Sequence, residues 1–183
     1  MADEIKKEER LLKVLAIVTD WLKFAEAKNA MLIAFNGASI YGIAKALDLD
    51  FLKTNSIAYA YACIVMILLA FSAVISMLSF VPRLSLFSSK DILETETPNG
   101  IFFEHLKCQS ESEIIQGVCE TKETTFSRFE NDIASQIKQN SSIASHKYSY
   151  FTVAVWITVV AYVTPIIAGI FALITYSHRK EIK

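Results

Sequence analysis

The chain has 183 residues, a formal net charge of -1, 53% hydrophobic residues and a mean hydropathy of +0.37. A net charge this small provides no global field to attract nucleic acid, so none is expected as a partner. The apolar excess falls in a few uninterrupted blocks, the pattern of a membrane protein.

Cys63, Cys108 and Cys119 form no CxxC pair, so neither a disulfide framework nor a zinc site is predicted. The charged N-terminus leads into no apolar run ending at a cleavage site, and no signal peptide is expected there.

Residues 1–29 are predicted to form a cytosolic amphipathic helix. Six acids and six bases between Asp3 and Lys28 surround Ile5, Leu11, Leu12, Leu15, Val18, Leu22 and Ala25 at helical spacing. Residues 30–81 read as a two-span transmembrane hairpin. Its first span, Ala30 to Leu47, is short and carries Asn36, Ser39 and Lys45, while Ala30, Ala34, Ala38 and Gly42 make a smooth face for a neighbouring helix. The second, Ile57 to Val81, is uncharged, and Pro82 is expected to stop it, followed by Arg83.

Residues 82–149 read as a cytosolic helical region. A polar loop gives way to short helices at Ile101 to Lys107 and Glu111 to Cys119. One long rod is then predicted from Thr121 to Ser177. Its soluble half places Phe126, Phe129, Ile133, Ile137, Asn140, Ala144 and Tyr148 along one seam. Residues 150–176 form the third transmembrane helix and 177–183 a tail.

The expected fold is therefore an all-α membrane protein, with three transmembrane helices continuous with a cytosolic helical stalk. Basic residues crowd the N-terminal segment and residues 82–149, while the 46–56 turn has Lys53 alone, which places the N-terminus in the cytosol. The polar stripe within the spans and the amphipathic helices favour a homo-oligomer.

Catalytic signatures are absent: there is no GxSxG, P-loop, HExxH or Rossmann fingerprint, so no catalytic residue, metal or cofactor is assigned. Lys28, Arg83 and Lys147 each adjoin a span on its cytosolic side, in a layer with Glu26, His146, Tyr148 and Tyr150. Cations and rings at one level can bind a phosphate and stack a base, with Tyr148 as the stacking surface. The same residues also fit topology anchors and an interfacial aromatic belt. Asn36 within a span needs a polar partner on another helix, either as structural glue or as part of a polar pathway. Asn36-Gly37 and Thr164-Pro165 are candidate points of helix relaxation or gating.

The run FAEAKNAMLIAFNG (Phe24 to Gly37), the Pro82-Arg83 end of the second span, the FFEHL segment and the SSIASHKY run resemble the transmembrane effectors of Pycsar anti-phage systems. Glu26 stands where that family's pattern is expected to have Asp. The resemblance implies a multi-pass protein of the bacterial inner membrane. It would be activated by cyclic UMP or cyclic CMP from a partner nucleotide cyclase, and would impair membrane integrity in abortive infection. Two readings of other classes compete with it: a membrane scaffold that binds a protein partner through its cytosolic helices, and a ligand-independent pore former.

Overall fold

The computed structural model describes residues 2–81 and 99–181. The described residues form helices and connecting turns: α1 (Ala2–Ala46), α2 (Asp50–Thr54), α3 (Ser56–Leu78), α4 (Phe103–Leu106), α5 (Glu111–Cys119) and α6 (Arg128–Glu181). They divide into two compact units. The first takes Met1–Lys28 and Phe80–Ser149, the second Asn29–Ser79 and Tyr150–Lys183.

The first unit pairs the N-terminal part of α1 with that of α6 and adds α4 and α5. Its core joins Leu11, Val14 and Val18 of α1, Leu106 of α4, Ile114, Ile115 and Cys119 of α5, and Ile133, Ala134 and Ile137 of α6. Leu11, Val14, Val18 and Ala25 recur at one helical face, whereas Ile5 and Leu12, expected on the stripe, are exposed. Leu12 follows Leu11 by one residue, about 100° around the helix, and so leaves the packed face.

Two Ser-x-x-Glu capping boxes set the helix starts. In α5 the Glu113 N–H donates to Ser110 Oγ (3.3 Å) and the Ser110 N–H returns to Glu113 Oε2 (2.7 Å). The Ser110 backbone N–H, aided by its hydroxyl, holds the Glu113 carboxyl below its ordinary pKa. At its other end α5 closes on Glu120, which takes the left-handed conformation with φ 53°.

The same box recurs at Ser127 and Glu130, with bonds of 2.7 and 3.1 Å. It explains why α6 begins at Arg128 and not at Thr121. Residues 121–127 instead form an irregular connection, held in part by Gln116 Nε2 donating to the Glu123 carbonyl (3.0 Å). The cap also turns Glu130 inward and leaves its neighbour Phe129 exposed. The buried seam is therefore Ile133, Ala134, Ile137, Ser141, Ala144 and Ser145 rather than the row through Phe129. Ser127→Ala should destabilise the first unit by about 1 kcal/mol. Denaturant unfolding in detergent measures it, and a change no larger than that of the exposed Ile143→Ala would discount the cap.

The second unit contains the C-terminal part of α1, α2, α3 and the rest of α6. Asn55 caps α3 by accepting from the Ala58 N–H (3.2 Å). The helix ends at Leu78, capped at Ser79, before Pro82; both Pro82 and Arg83 lie outside the described residues. Val65, Leu69 and Ala161 form its apolar core, with Ile40, Ile43, Leu68 and Tyr162 against them.

Among the described residues two helices, α3 and α6, are long and apolar enough to cross a membrane. Only 22% and 17% of their most apolar windows are buried within the chain, which leaves Ile67, Phe71, Trp156 and Ile167 outward. Apolar faces of this extent fit lipid far better than water. The 30–46 stretch of α1 is helical throughout but is not among them by that measure. The Ala30, Ala34, Ala38 and Gly42 face is exposed, and no helix among the described residues covers it.

Candidate functional site

Two clusters of polar or charged side chains stand out, one in each unit. In the first unit, α1 presents Trp21, Phe24 and Lys28 at spacings of three and four, and hence on one helix face. Lys28 Nζ lies over two rings, 4.5 Å from the Phe24 centroid and 5.4 Å from that of Tyr148. Tyr148 of α6 stacks on Phe103 of α4, with centroids 5.2 Å apart and planes 13° from parallel. Trp21 meets Phe103 at 5.8 Å and Tyr148 edge-on at 6.3 Å. Burial pushes the Tyr148 phenol above its ordinary pKa, so it offers Lys28 a neutral ring face.

Beside this wall Lys107 lies 2.7 Å from the Glu104 carboxylate and donates to Ser145 Oγ at 2.9 Å. Lys147 makes a different set of contacts. Its ammonium is 2.8 Å from Glu26 Oε1 and 5.5 Å from the Phe80 ring centroid. Residues two apart on a helix project to opposite sides, so Glu26 and Lys28 flank the α1–α6 seam on different sides. The structure therefore brings Lys28 and Tyr148 together and gives Lys147 to Glu26. Arg83, the third cation expected in this layer, is outside the described residues.

A separate cavity of about 250 Å³ lies among Lys6, Lys7 and Arg10 of α1 and Cys119, Glu120 and Glu123. Lys7 lies 2.7 Å from Glu123 and Arg10 3.6 Å from Glu120, which offsets two of its three basic residues. Burial raises the Cys119 pKa there, which keeps the thiol protonated at neutral pH.

In the second unit Asn36, Ser72 and Thr158 close a buried ring of hydrogen bonds across three helices. Asn36 Nδ2 donates to Ser72 Oγ (2.9 Å), and Thr158 Oγ1 donates to Asn36 Oδ1 (3.2 Å). The single Ser72 hydroxyl proton has two acceptors in reach, Thr158 Oγ1 (2.9 Å), which closes the ring, and the Ala154 carbonyl (2.7 Å). Gly37, next to Asn36, is exposed, and a methyl group there would meet nothing within 4 Å. Pro165 sits inside α6, which continues through it, while Thr164 Oγ1 bonds the Val160 carbonyl at 2.6 Å.

Sequence reasoning missed Trp21, Phe103, Ser72 and Thr158. The Trp21-Phe24-Lys28 spacing was a usable signal. The hydroxyls were not, since a lone Ser or Thr in an apolar run can equally bond its own helix backbone.

The arrangement is a ring-and-cation wall on a helical unit, with an asparagine ring buried beside apolar helices. Comparison with known proteins gives it a family. A family model described as the Pycsar effector protein domain matches residues 10–175. The Pycsar effector protein PtPycTM of Propioniciclava tarda is 30% identical over 142 residues, which cover 74% of this chain and 65% of that protein. The chain thus spans a little less than two thirds of that relative's length. No solved structure matches. A match that runs through both units, over nearly all of the chain, places the protein in the Pycsar effector family.

Proposed function

We propose that the protein is a bacterial inner-membrane effector that senses a cyclic pyrimidine mononucleotide, cyclic UMP or cyclic CMP, and impairs membrane integrity in anti-phage defence. The observation that carries this reading is the family match over residues 10–175, which includes both the ring-and-cation wall and the apolar helices. On this reading the protein is not an enzyme. A partner nucleotide cyclase makes the ligand during infection, the N-terminus faces the cytosol, and copies of the chain assemble into a homo-oligomer. The 30–46 stretch of α1 is then a third membrane helix. Asn36 lowers its apolarity, but that amide is buried and satisfied by Ser72 and Thr158 rather than facing lipid.

Calorimetry of the full chain in detergent, with cyclic UMP, cyclic CMP, cyclic AMP and cyclic GMP, tests the sensing. Saturable heat with a pyrimidine nucleotide, and at least tenfold weaker binding of the purines, is the expected result. Membrane depolarisation in cells should then require both the chain and a cyclase. Depolarisation by the chain alone would favour the ligand-independent pore. Neither binding nor depolarisation would favour the scaffold.

A further inference from the structure

We infer that the interior of the second unit is a gated half-channel: a polar row that admits water and small monovalent cations, closed at its far end by an apolar plug. This deepens the proposed function and rests on it, since it makes the impairment of the membrane a permeation between helices rather than a rupture of the bilayer.

The row extends the ring of Asn36, Ser72 and Thr158. Asn29 precedes Asn36 by seven residues on α1, and Ser76 and Ser79 follow Ser72 by four and seven. Seven residues make about two helical turns on one face, a rise of about 10 Å. Asn29 and Ser76 are 0% exposed and Ser79 is 4% exposed, so these polar side chains are enclosed. A hydroxyl in an apolar helix ordinarily bonds the carbonyl four residues back. Ser39 and Thr164 of this unit do so, at 2.8 and 2.6 Å. The Ser76 and Ser79 hydroxyls have no hydrogen-bond partner among the described residues. Two enclosed hydroxyls that are not spent on their own backbone suit water, which enters a protein interior where polar partners await it.

Beyond the ring all three helices change character together. On α3 the next inward residues are Leu69 and Val65, on α6 Ala161, and on α1 Ile40 and Ile43, and these form one apolar cluster. A polar lining holds water, whereas a narrow apolar segment sheds it and thereby stops ions. The row contains hydroxyls and amides and no Lys or Arg. Its oxygens can replace part of a small cation's hydration, while no ammonium or guanidinium in it holds an anion. The ring therefore marks the boundary between a wet half and a dry half, and conduction requires the helices to part at Leu69 and Ala161.

The test uses the full chain. Silver is a monovalent cation that reacts with thiols, so it probes the row directly in membrane vesicles. Ser76→Cys and Ser79→Cys should be protected by silver from later maleimide labelling about tenfold faster than Leu69→Cys or Val65→Cys, with mass spectrometry separating these thiols from Cys63, Cys108 and Cys119. In liposomes, cyclic UMP or cyclic CMP should release potassium and retain a dextran. Leu69→Ser should leak potassium without nucleotide, about tenfold above the unaltered chain, whereas Ile67→Ser, at a side chain 67% exposed, should not. Ser76→Val should lower the triggered release about fivefold and Ser76→Thr much less. Circular dichroism and elution volume identify any variant that fails to fold. Leu69→Thr then replaces Leu69→Ser, and the near-isosteric Ser76→Cys keeps the row open to test.

Silver protection no faster at Ser76→Cys than at Leu69→Cys overturns the half-channel and leaves the proposed function standing. So does nucleotide-triggered release that is unchanged in folded Leu69→Ser and Ser76→Val. Dextran released together with potassium overturns it as well, because the lesion is then a rupture. If no cyclic nucleotide triggers release, while silver still separates the two halves and Leu69→Ser still leaks, the half-channel stands and the nucleotide reading falls.

Discussion

Asn36→Asp is expected to be the most damaging single-atom-scale change in the second unit. The new side chain has the same shape but no N–H to give Ser72 Oγ, and it puts a carboxylate where Ser72 and Ala154 leave no exposed surface. An unpaired buried charge costs several kcal/mol, or is avoided by uptake of a proton. Asn36→Leu removes the ring without adding charge and should cost about 1–3 kcal/mol, from lost hydrogen bonds and extra bulk. Met31→Ala is the control, because Met31 is 72% exposed and should change stability by less than about 0.5 kcal/mol. Unfolding of the three variants by dodecyl sulfate in mixed micelles ranks them. If Asn36→Leu unfolds no more readily than Met31→Ala, the hydrogen-bonded ring contributes nothing to holding the helices.

Leu106→Ala is expected to have the largest effect in the first unit. Leu106 belongs to a helix of only four residues that makes no side-chain cap bond, so α4 depends on what its side chains bury. Leu106 is fully enclosed in the core that includes Leu11, Ile114 and Ile137. Truncation removes three carbons and leaves a cavity that neighbouring helices can fill only partly, at a cost of about 2–5 kcal/mol. The adjacent Phe103 would lose its support, so Trp21 emission should shift at lower denaturant than in the unaltered chain. Ile101→Ala, at a half-exposed side chain outside the core, should stay within about 0.5 kcal/mol. Equal midpoints for the two variants would contradict the assignment of Leu106 to the core.

Much of this architecture could be read from the residues. The helical periodicity from Leu11 to Ala25 and the uncharged run after Ile57 are strong local signals, because each repeats one physical preference over many residues. The start of α6 was less legible. Ser127 and Glu130 spell a capping box, but an apolar stripe beginning at Phe126 overrides it when periodicity alone is followed. The 30–47 span was read from a short apolar block that carries Asn36, Ser39 and Lys45, and its composition falls short of what α3 and α6 display. At the candidate site, counting residues puts Lys28, Arg83, Lys147 and Tyr148 at one level, and of these Lys28 lies over the Tyr148 ring. Their direction around the helix was not considered, and direction is what sends Lys147 to Glu26 and Lys28 to Tyr148. Partners such as Ser72 and Phe103 lie far away in sequence, where no local spacing points to them.

The buried seam of the first unit changes character along α6. Ile133 and Ile137 are large and branched, whereas Ser141, Ala144 and Ser145 are small, with Ala25 similarly small on α1. Branched side chains interlock, so an axial shift must lift each from its hole. Methyl and hydroxymethyl groups present low ridges that pass one another with little friction. The half of the seam nearest Lys28 and Tyr148 is thus built like a plain bearing, and the half around Ile137 like a set of gear teeth. In side-chain shape alone, a twist or slide of α1 against α6 meets more resistance at the geared half than at the bearing, where the Glu26–Lys147 pair ties the two helices.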